Sequence, residues 1–202
     1  ADTADSGTLA LGSPAQVVSI RSPADAVAHG IALITEDRKG EGLLLSQSIS
    51  ANIALGNMPE ISSGGVVNNG DEIALAQRQI DAMRIRSSSP AQLVSELSGG
   101  NQQKVVIGKW LLTNPKVLLL DEPTRGIDVG AKAEVHRVIV ELAQSGLAVL
   151  MVSSDLPEVL ALSDRVLVMR GGQIVSTFDR KDATAEGIIA AASGATLAEV
   201  TA

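Results

Sequence analysis

At 202 residues with 45% hydrophobic side chains, the chain can bury a sizeable core as one large or two small domains. Trp110 and Phe178 are its only aromatic residues, so that core has to be assembled from Ala, Val, Leu and Ile. A net charge of −7 argues against a nucleic-acid-binding surface, and the lack of cysteine excludes a disulfide framework or a thiolate metal site.

No apolar run approaches the length of a membrane span, and the start of the sequence has neither a basic nor an apolar leader segment. The expectation is a cytoplasmic chain whose membrane contact comes through a partner. In chain order, two short alternating runs, Thr8 to Leu11 and Gln16 to Ile20, flank Gly12-Ser13-Pro14 and predict a hairpin. Ser22-Pro23 opens a short helix that Gly30 stops. Ile31 to Thr35 then reads as a buried strand ending in the charged loop Glu36-Asp37-Arg38-Lys39.

From Ser48 to Gly56 a brief helical pattern appears, followed by a Gly-, Ser- and Asn-rich stretch to Gly70 that reads as flexible. Asp71 to Arg86 carries Ile73, Ala76, Ile80 and Met83 at helical spacing, and Ser89-Pro90 predicts a further short helix to Leu97. Residues 46–97 are therefore expected to form a mostly helical subdomain. It would separate a partial core at 1–45 from the core at 98–182, with a C-terminal helix and tail at 183–202.

The most informative stretch is Leu97-Ser98-Gly99-Gly100-Asn101-Gln102-Gln103-Lys104. A small polar residue and two glycines precede a helical pattern through Leu111. Ser98 is placed as an N-cap, and bare glycine backbone lets an anion approach exposed N–H groups at the positive end of the helix dipole. Val117 to Leu120 is an apolar run without a polar face, as in a buried parallel strand, and it ends in Asp121-Glu122. Acids beyond the carboxyl end of such a strand suit a magnesium ion and a proton acceptor. The alternative is that both acids merely cap the following turn.

Gly130 to Gln144 is amphipathic with Gly146 as its stop, Ala148 to Ser153 is a second buried strand, and Leu156 to Leu162 is a helix opened by Asp155. Arg165 to Arg170 is a third strand, turned by Gly171-Gly172 into Gln173 to Phe178. Alternation of strand and helix implies right-handed crossovers and a parallel sheet. His29 and His136 stand apart in sequence without company for a metal site, and His29 sits near a helix end, where partial charge is favourable.

The order LSGGNQQK, LLLDEPT and Arg125-Gly126-Ile127-Asp128-Val129-Gly130-Ala131-Lys132 resembles the ATP-binding cassette (ABC) family of transport ATPases. More narrowly, it is similar to the second nucleotide-binding domain of bacterial monosaccharide importers of the ribose, galactose and xylose type, from about Ser6 to Gly194. The resemblance implies an α/β, P-loop-NTPase-like fold: a parallel sheet with flanking helices, an N-terminal antiparallel β portion and an inserted helical subdomain.

It implies ATP and Mg2+ as cofactors, with Asp121 on the metal and Glu122 polarising the attacking water. Ser98, Gly99, Gly100 and Gln102 would face a nucleotide held by an opposite domain, and Asp128 would meet that domain. Read alone, Asp128 is an ordinary N-cap. Glu36 stands where the family carries a glutamine that senses the transporter, its alternative being a solvated charged turn. The implied partners are the N-terminal nucleotide-binding domain of the same subunit or a second subunit, transmembrane permeases and, indirectly, a periplasmic sugar-binding protein. The place implied is the inner face of the cell membrane.

Two departures qualify the resemblance. No phosphate loop of the form G-x-x-x-x-G-K-[ST] occurs; at the one Gly-Lys pair, Gly108-Lys109, Gln103 and Trp110 occupy the positions of the first glycine and the hydroxyl. The chain therefore reads as a piece beginning after that loop, without one central strand of the sheet. Ser154 also stands where the family has a switch histidine, and a serine donates a hydrogen bond but carries no positive charge to a phosphate. A catalytically idle regulatory domain that completes its partner's site is the second reading.

Overall fold

A computed structural model describes residues 6–195, which divide into two compact units between Val152 and Ser153. In the first unit, β1 (Leu9–Leu11) and β2 (Gln16–Val18) form the expected antiparallel hairpin. The α1 helix (Pro23–Ala28) is capped by Ser22, whose Oγ accepts the Asp25 N–H at 3.1 Å, and Gly30 leaves it with φ at 80°. His29 at its end uses Nδ1 on the Asp25 carbonyl at 2.8 Å.

Then follow β3 (Ile31–Ile34), a single π-turn over Arg38–Gly42, and the helices α2 (Ile49–Ala54), α3 (Met58–Ile61) and α4 (Asn69–Ala82). The tiny hairpin β4 (Ser62–Ser63) and β5 (Val66–Val67) lies between α3 and α4. After a 3-10 turn at Val94–Glu96 come α5 (Gly99–Leu111), β6 (Val117–Asp121), α6 (Val129–Gln144) and β7 (Ala148–Val152). The three strands pair in parallel in the order β3-β6-β7, with Ile34 beside Leu120 and Leu120 beside Met151.

Alternation along these strands gives the sheet two unlike faces. Ala32, Ile34, Leu118 and Leu120 point into the core, where α5 lies on β3 and packs against α2, α4 and α6. On the opposite face Leu33, Leu150 and Val152 are exposed, the last two at 55% and 60%. The sequence reading of Ala148 to Ser153 as a buried strand is thus corrected. Ala148, Leu150 and Val152 on one of its faces are exposed, and none of its residues is fully buried.

Two further stretches carry structure that the sequence reading did not specify. The stretch from Gly56 to Gly70 carries α3 and the β4–β5 hairpin: Pro59 near the first helical position starts the helix, and Gly64 and Gly65, both at positive φ, form the hairpin turn. Residues 89–97 are not the predicted helix. The carbonyls of Pro90 and Gln92 accept the N–H groups of Ser50 and Ile49, and the N–H groups of Val94 and Ser95 donate to Gln47 and Leu45. That backbone is committed to the start of α2 and is unavailable for helical bonds.

The second unit contains α7 (Leu156–Leu162), β8 (Arg165–Arg170), β9 (Gln173–Asp179) and α8 (Ala185–Ser193). Gly171 and Gly172, at φ of 58° and 78°, turn β8 into antiparallel β9. Read from sequence as a third parallel strand, β8 pairs only with β9 among the described residues. Thr184 caps α8 through its Oγ on the Gly187 N–H at 3.0 Å, and α8 packs on β8 and β9.

Candidate functional site

The carboxyl end of β6 places Asp121, half-buried, as the last residue paired with β7, opposite Val152. Glu122 leaves the strand with φ at 47°, a left-handed conformation that a non-glycine residue adopts at a cost of about 1–3 kcal/mol. Its N–H still donates to the Val152 carbonyl at 2.9 Å, so the turn is anchored to the sheet while the side chain is swung off the strand direction. Strain of this kind concentrates where a side chain has to be presented. Among the described residues no cluster of three His, Cys, Asp or Glu side chains forms a self-contained metal site. One strand-end carboxylate fits a magnesium ion that draws its other ligands from water and nucleotide phosphates, and does not fit a cation caged by protein alone.

Ser98 occupies the N-cap position of α5 with extended backbone, yet its hydroxyl makes no capping bond. It instead accepts from the Asn101 side-chain amide at 2.9 Å. The two glycines that follow are required by close packing. A Cβ on Gly100 would come within 2.6 Å of the Ala131 Cβ on α6, and one on Gly99 within 2.9 Å of the Arg38 guanidinium. Ser98 is exposed and the amino end of α5 reaches the surface there, whereas Gln102 to Lys109 are all buried. Gln102 accordingly turns inward and donates to the Val94 carbonyl at 3.1 Å, apart from the exposed Ser98. Its Oε1 is buried without a partner, as are Thr35 Oγ1 and Arg38 Nε.

Asp128 caps α6, accepting the Ala131 N–H at 2.9 Å, as its plainer reading expects. The structure also joins the 36–42 segment to the 124–128 loop in a reciprocal clasp. Arg38, nine-tenths buried, donates from Nη1 to the Arg125 carbonyl at 2.7 Å and from Nη2 to the Gly126 carbonyl at 3.1 Å. Arg125 in turn pairs its own guanidinium with Glu36. One arginine thus touches the second motif loop and lies under the first glycine of the signature helix. Burial pushes its pKa below the ordinary arginine value, and the neighbouring Asp37 carboxylate offsets only part of that.

Two more buried cations hold α5. Lys104 is paired with Glu134 of α6 at 2.6 Å and donates to the Arg84 carbonyl at 3.1 Å, while Arg86 takes the other Glu134 oxygen at 2.5 Å. The Lys104 hydrogen bond, more than the charges around it, holds the Glu134 carboxyl below its usual range. Lys109, whose pKa burial lowers, donates to the Gly42 carbonyl at 2.5 Å, and its Nζ lies 5.6 Å from the centre of the Trp110 ring.

Ser154 belongs to the second unit, in the exposed turn before α7. There Asp155 caps the helix through Glu158, and Ser153 donates to the buried Glu158 carboxylate at 2.7 Å. Sequence reasoning assigned no role to Arg38, Lys104, Lys109 or Asn101. The one available signal was the signature helix itself, which lacks a continuous polar stripe, so that its polar side chains had to be housed inside the fold.

A strand-end acid pair, a glycine-started helix tip and a loop clasped between them define the class: this chain belongs to the ABC transporter family, whose family model matches residues 4–125. More particularly, it is 50% identical over 175 residues to the ribose import ATP-binding protein RbsA of Rhodopirellula baltica, covering 87% of this chain and 34% of that protein. The RbsA protein of Geobacillus kaustophilus is 49% identical over 177 residues, covering 88% and 36%. The chain spans about a third of the length of the curated relatives it matches.

Its fold is that of ATP-binding cassettes. A dimeric post-hydrolysis cassette bound to ADP and phosphate superposes with a TM-score of 0.69 at 16% identity, over 89% of this chain and 75% of that one. A nucleotide-free cassette from an ABC transporter gives 0.68 at 21% identity, over 93% and 74%. No helix among the described residues is long and apolar enough to cross a membrane.

Proposed function

We propose that this chain is part of the ATP-binding subunit of a sugar importer and contributes half of a composite nucleotide site. The observation that carries the reading is the amino end of α5. Ser98 is exposed and excused from capping, at the tip of a helix whose first residue, Gly99, is only partly buried. The similarity to ribose import ATP-binding proteins supports a carbohydrate as the cargo.

In this reading the partner domain, on the same subunit or a second one, supplies the phosphate loop for the nucleotide that Ser98, Gly99 and Gly100 contact. Gln102 holds their helix from inside, and Asp128 lies at the interface with that domain. Asp121 would hold Mg2+ together with phosphate oxygens. The ion would supply charge neutralisation, and Glu122 would take a proton from water at its carboxylate, a contribution of about 10²–10⁴-fold in rate. The subunit works at the cytoplasmic face of the membrane with transmembrane permeases, and indirectly with a periplasmic sugar-binding protein. Ser98→Arg in the full-length subunit is expected to abolish ATP-dependent uptake; unchanged uptake would remove Ser98 from phosphate contact.

A second reading, an idle domain that only completes its partner's site, is favoured by one observation: Glu36 is engaged with Arg125. Ser154 in the switch position agrees with it. Glu122→Gln separates the two. A hundredfold loss of ATPase activity in the subunit supports catalysis at Glu122, and a loss below about twofold supports the idle domain.

A further inference from the structure

We propose that Asn101 is the positioning residue that aims the Ser98 hydroxyl proton outward, toward a phosphate oxygen. The inference rests on the reading of Ser98 as a phosphate contact and adds how that contact is polarised. The Arg86 backbone N–H points at the Asn101 side chain, 2.9 Å from its oxygen. A backbone N–H can only donate, so the amide oxygen has to face it, and that fixes which way the amide is turned. The amide NH2 then faces Ser98 and donates to Oγ at 2.9 Å. A hydroxyl has a single proton. With Oγ accepting from the Asn101 amide, the proton cannot point at that amide and remains for an external acceptor.

The reference point for this amide is itself fixed from two sides. The Arg86 guanidinium is held by Glu134, and the Arg84 carbonyl two residues earlier by Lys104, which pairs with the same Glu134. The peptide that orients Asn101 is therefore tied to both α5 and α6. A serine at this position without such an amide could turn its proton inward. With it, the hydroxyl is prepared as a donor before the anion arrives, and no reorganisation is needed on binding.

Asn101→Asp inverts the arrangement at nearly constant shape. One carboxylate oxygen still accepts from Arg86, but the other accepts the Ser98 proton and draws it away from the ligand. In the full-length subunit, Asn101→Asp is expected to lower kcat/KM for ATP by about 10- to 100-fold, the scale of a charge-assisted hydrogen bond. Asn101→Ala, which leaves the hydroxyl free to rotate, should cost several-fold less. Both effects should shrink in a Ser98→Ala background, where Asn101→Ala should be silent and Asn101→Asp should keep only the smaller effect of its charge. Urea unfolding midpoints of the single variants should lie close to that of the parent.

Equal losses with and without Ser98, or full activity of Asn101→Asp beside a damaged Ser98→Ala, would overturn the role of Asn101 while leaving the phosphate contact standing. A fully active Ser98→Ala would remove the contact itself and the inference with it.

Discussion

The two faces of the β3-β6-β7 sheet make an instructive contrast. Beneath one face, α5 is buried along most of its length, and its two lysines and the neighbouring Arg38 each find a carbonyl or carboxylate. On the other face, apolar side chains of β3 and β7 stand in solvent. The difference teaches that organisation in this chain is concentrated where the motifs meet. The residues that present Ser98 and Glu122 rest on an interior whose buried cations are each hydrogen-bonded, whereas the opposite face offers apolar side chains to solvent.

That contrast can be broken or sharpened by measurement. The largest effect is expected from Leu120→Ala on the packed face, about 2–5 kcal/mol of lost stability in urea unfolding, because a fully buried side chain leaves a cavity. Next, Arg38→Met should cost about 1–3 kcal/mol by leaving the Arg125 and Gly126 carbonyls without their buried donor, and should raise hydrogen exchange in 124–128 above that of α4. Uniform exchange across both would show that the clasp is not local. Gly100→Ala is expected to cost about 1–3 kcal/mol, since its methyl would meet Ala131 at 2.6 Å.

A smaller effect concerns acid. The folded-state pKa of Glu134 is depressed, so its contribution is present above the ordinary value of 4.5 and is lost as pH falls through the folded value. Unfolding midpoints taken through this range should fall more for the parent than for Glu134→Gln; parallel curves would remove Glu134 from the acid response. The smallest effect is expected on the open face: Leu150→Thr should change stability by no more than about 0.5 kcal/mol while reducing binding of a hydrophobic dye. A loss there comparable to that of Leu120→Ala would mean that the two faces are not different after all.

Much of this molecule was legible from local rules. The Ser22-Pro23 start, the Gly30 stop, the strand ending in Asp121-Glu122, the α6 cap at Asp128 and the Gly171-Gly172 hairpin all follow from residue types whose effect is confined to a turn or two. Family membership was legible as well, because the signature and strand motifs are contiguous. The helix expected at 89–97 failed because α2 claims that backbone, a contact across some forty residues that no window of sequence reports. Ser98 was placed correctly as the N-cap residue, but the partner of its hydroxyl was not foreseeable, since Asn101 is oriented by a peptide from another segment.

Sequence by itself determined where the chain turns, which stretches are apolar and which family it resembles, because capping, turn chemistry and hydrophobic period act over a few residues. Only the tertiary structure decided what the charges are for. Arg38, Lys104 and Lys109 look like surface residues in a string of letters. They are interior ones here because their acceptors, the carbonyls of Arg125, Gly126, Arg84 and Gly42 and the Glu134 carboxylate, come from segments twenty to almost ninety residues away. A buried cation is tolerated only when distant backbone is brought within hydrogen-bonding distance, and that proximity exists only once the chain has folded.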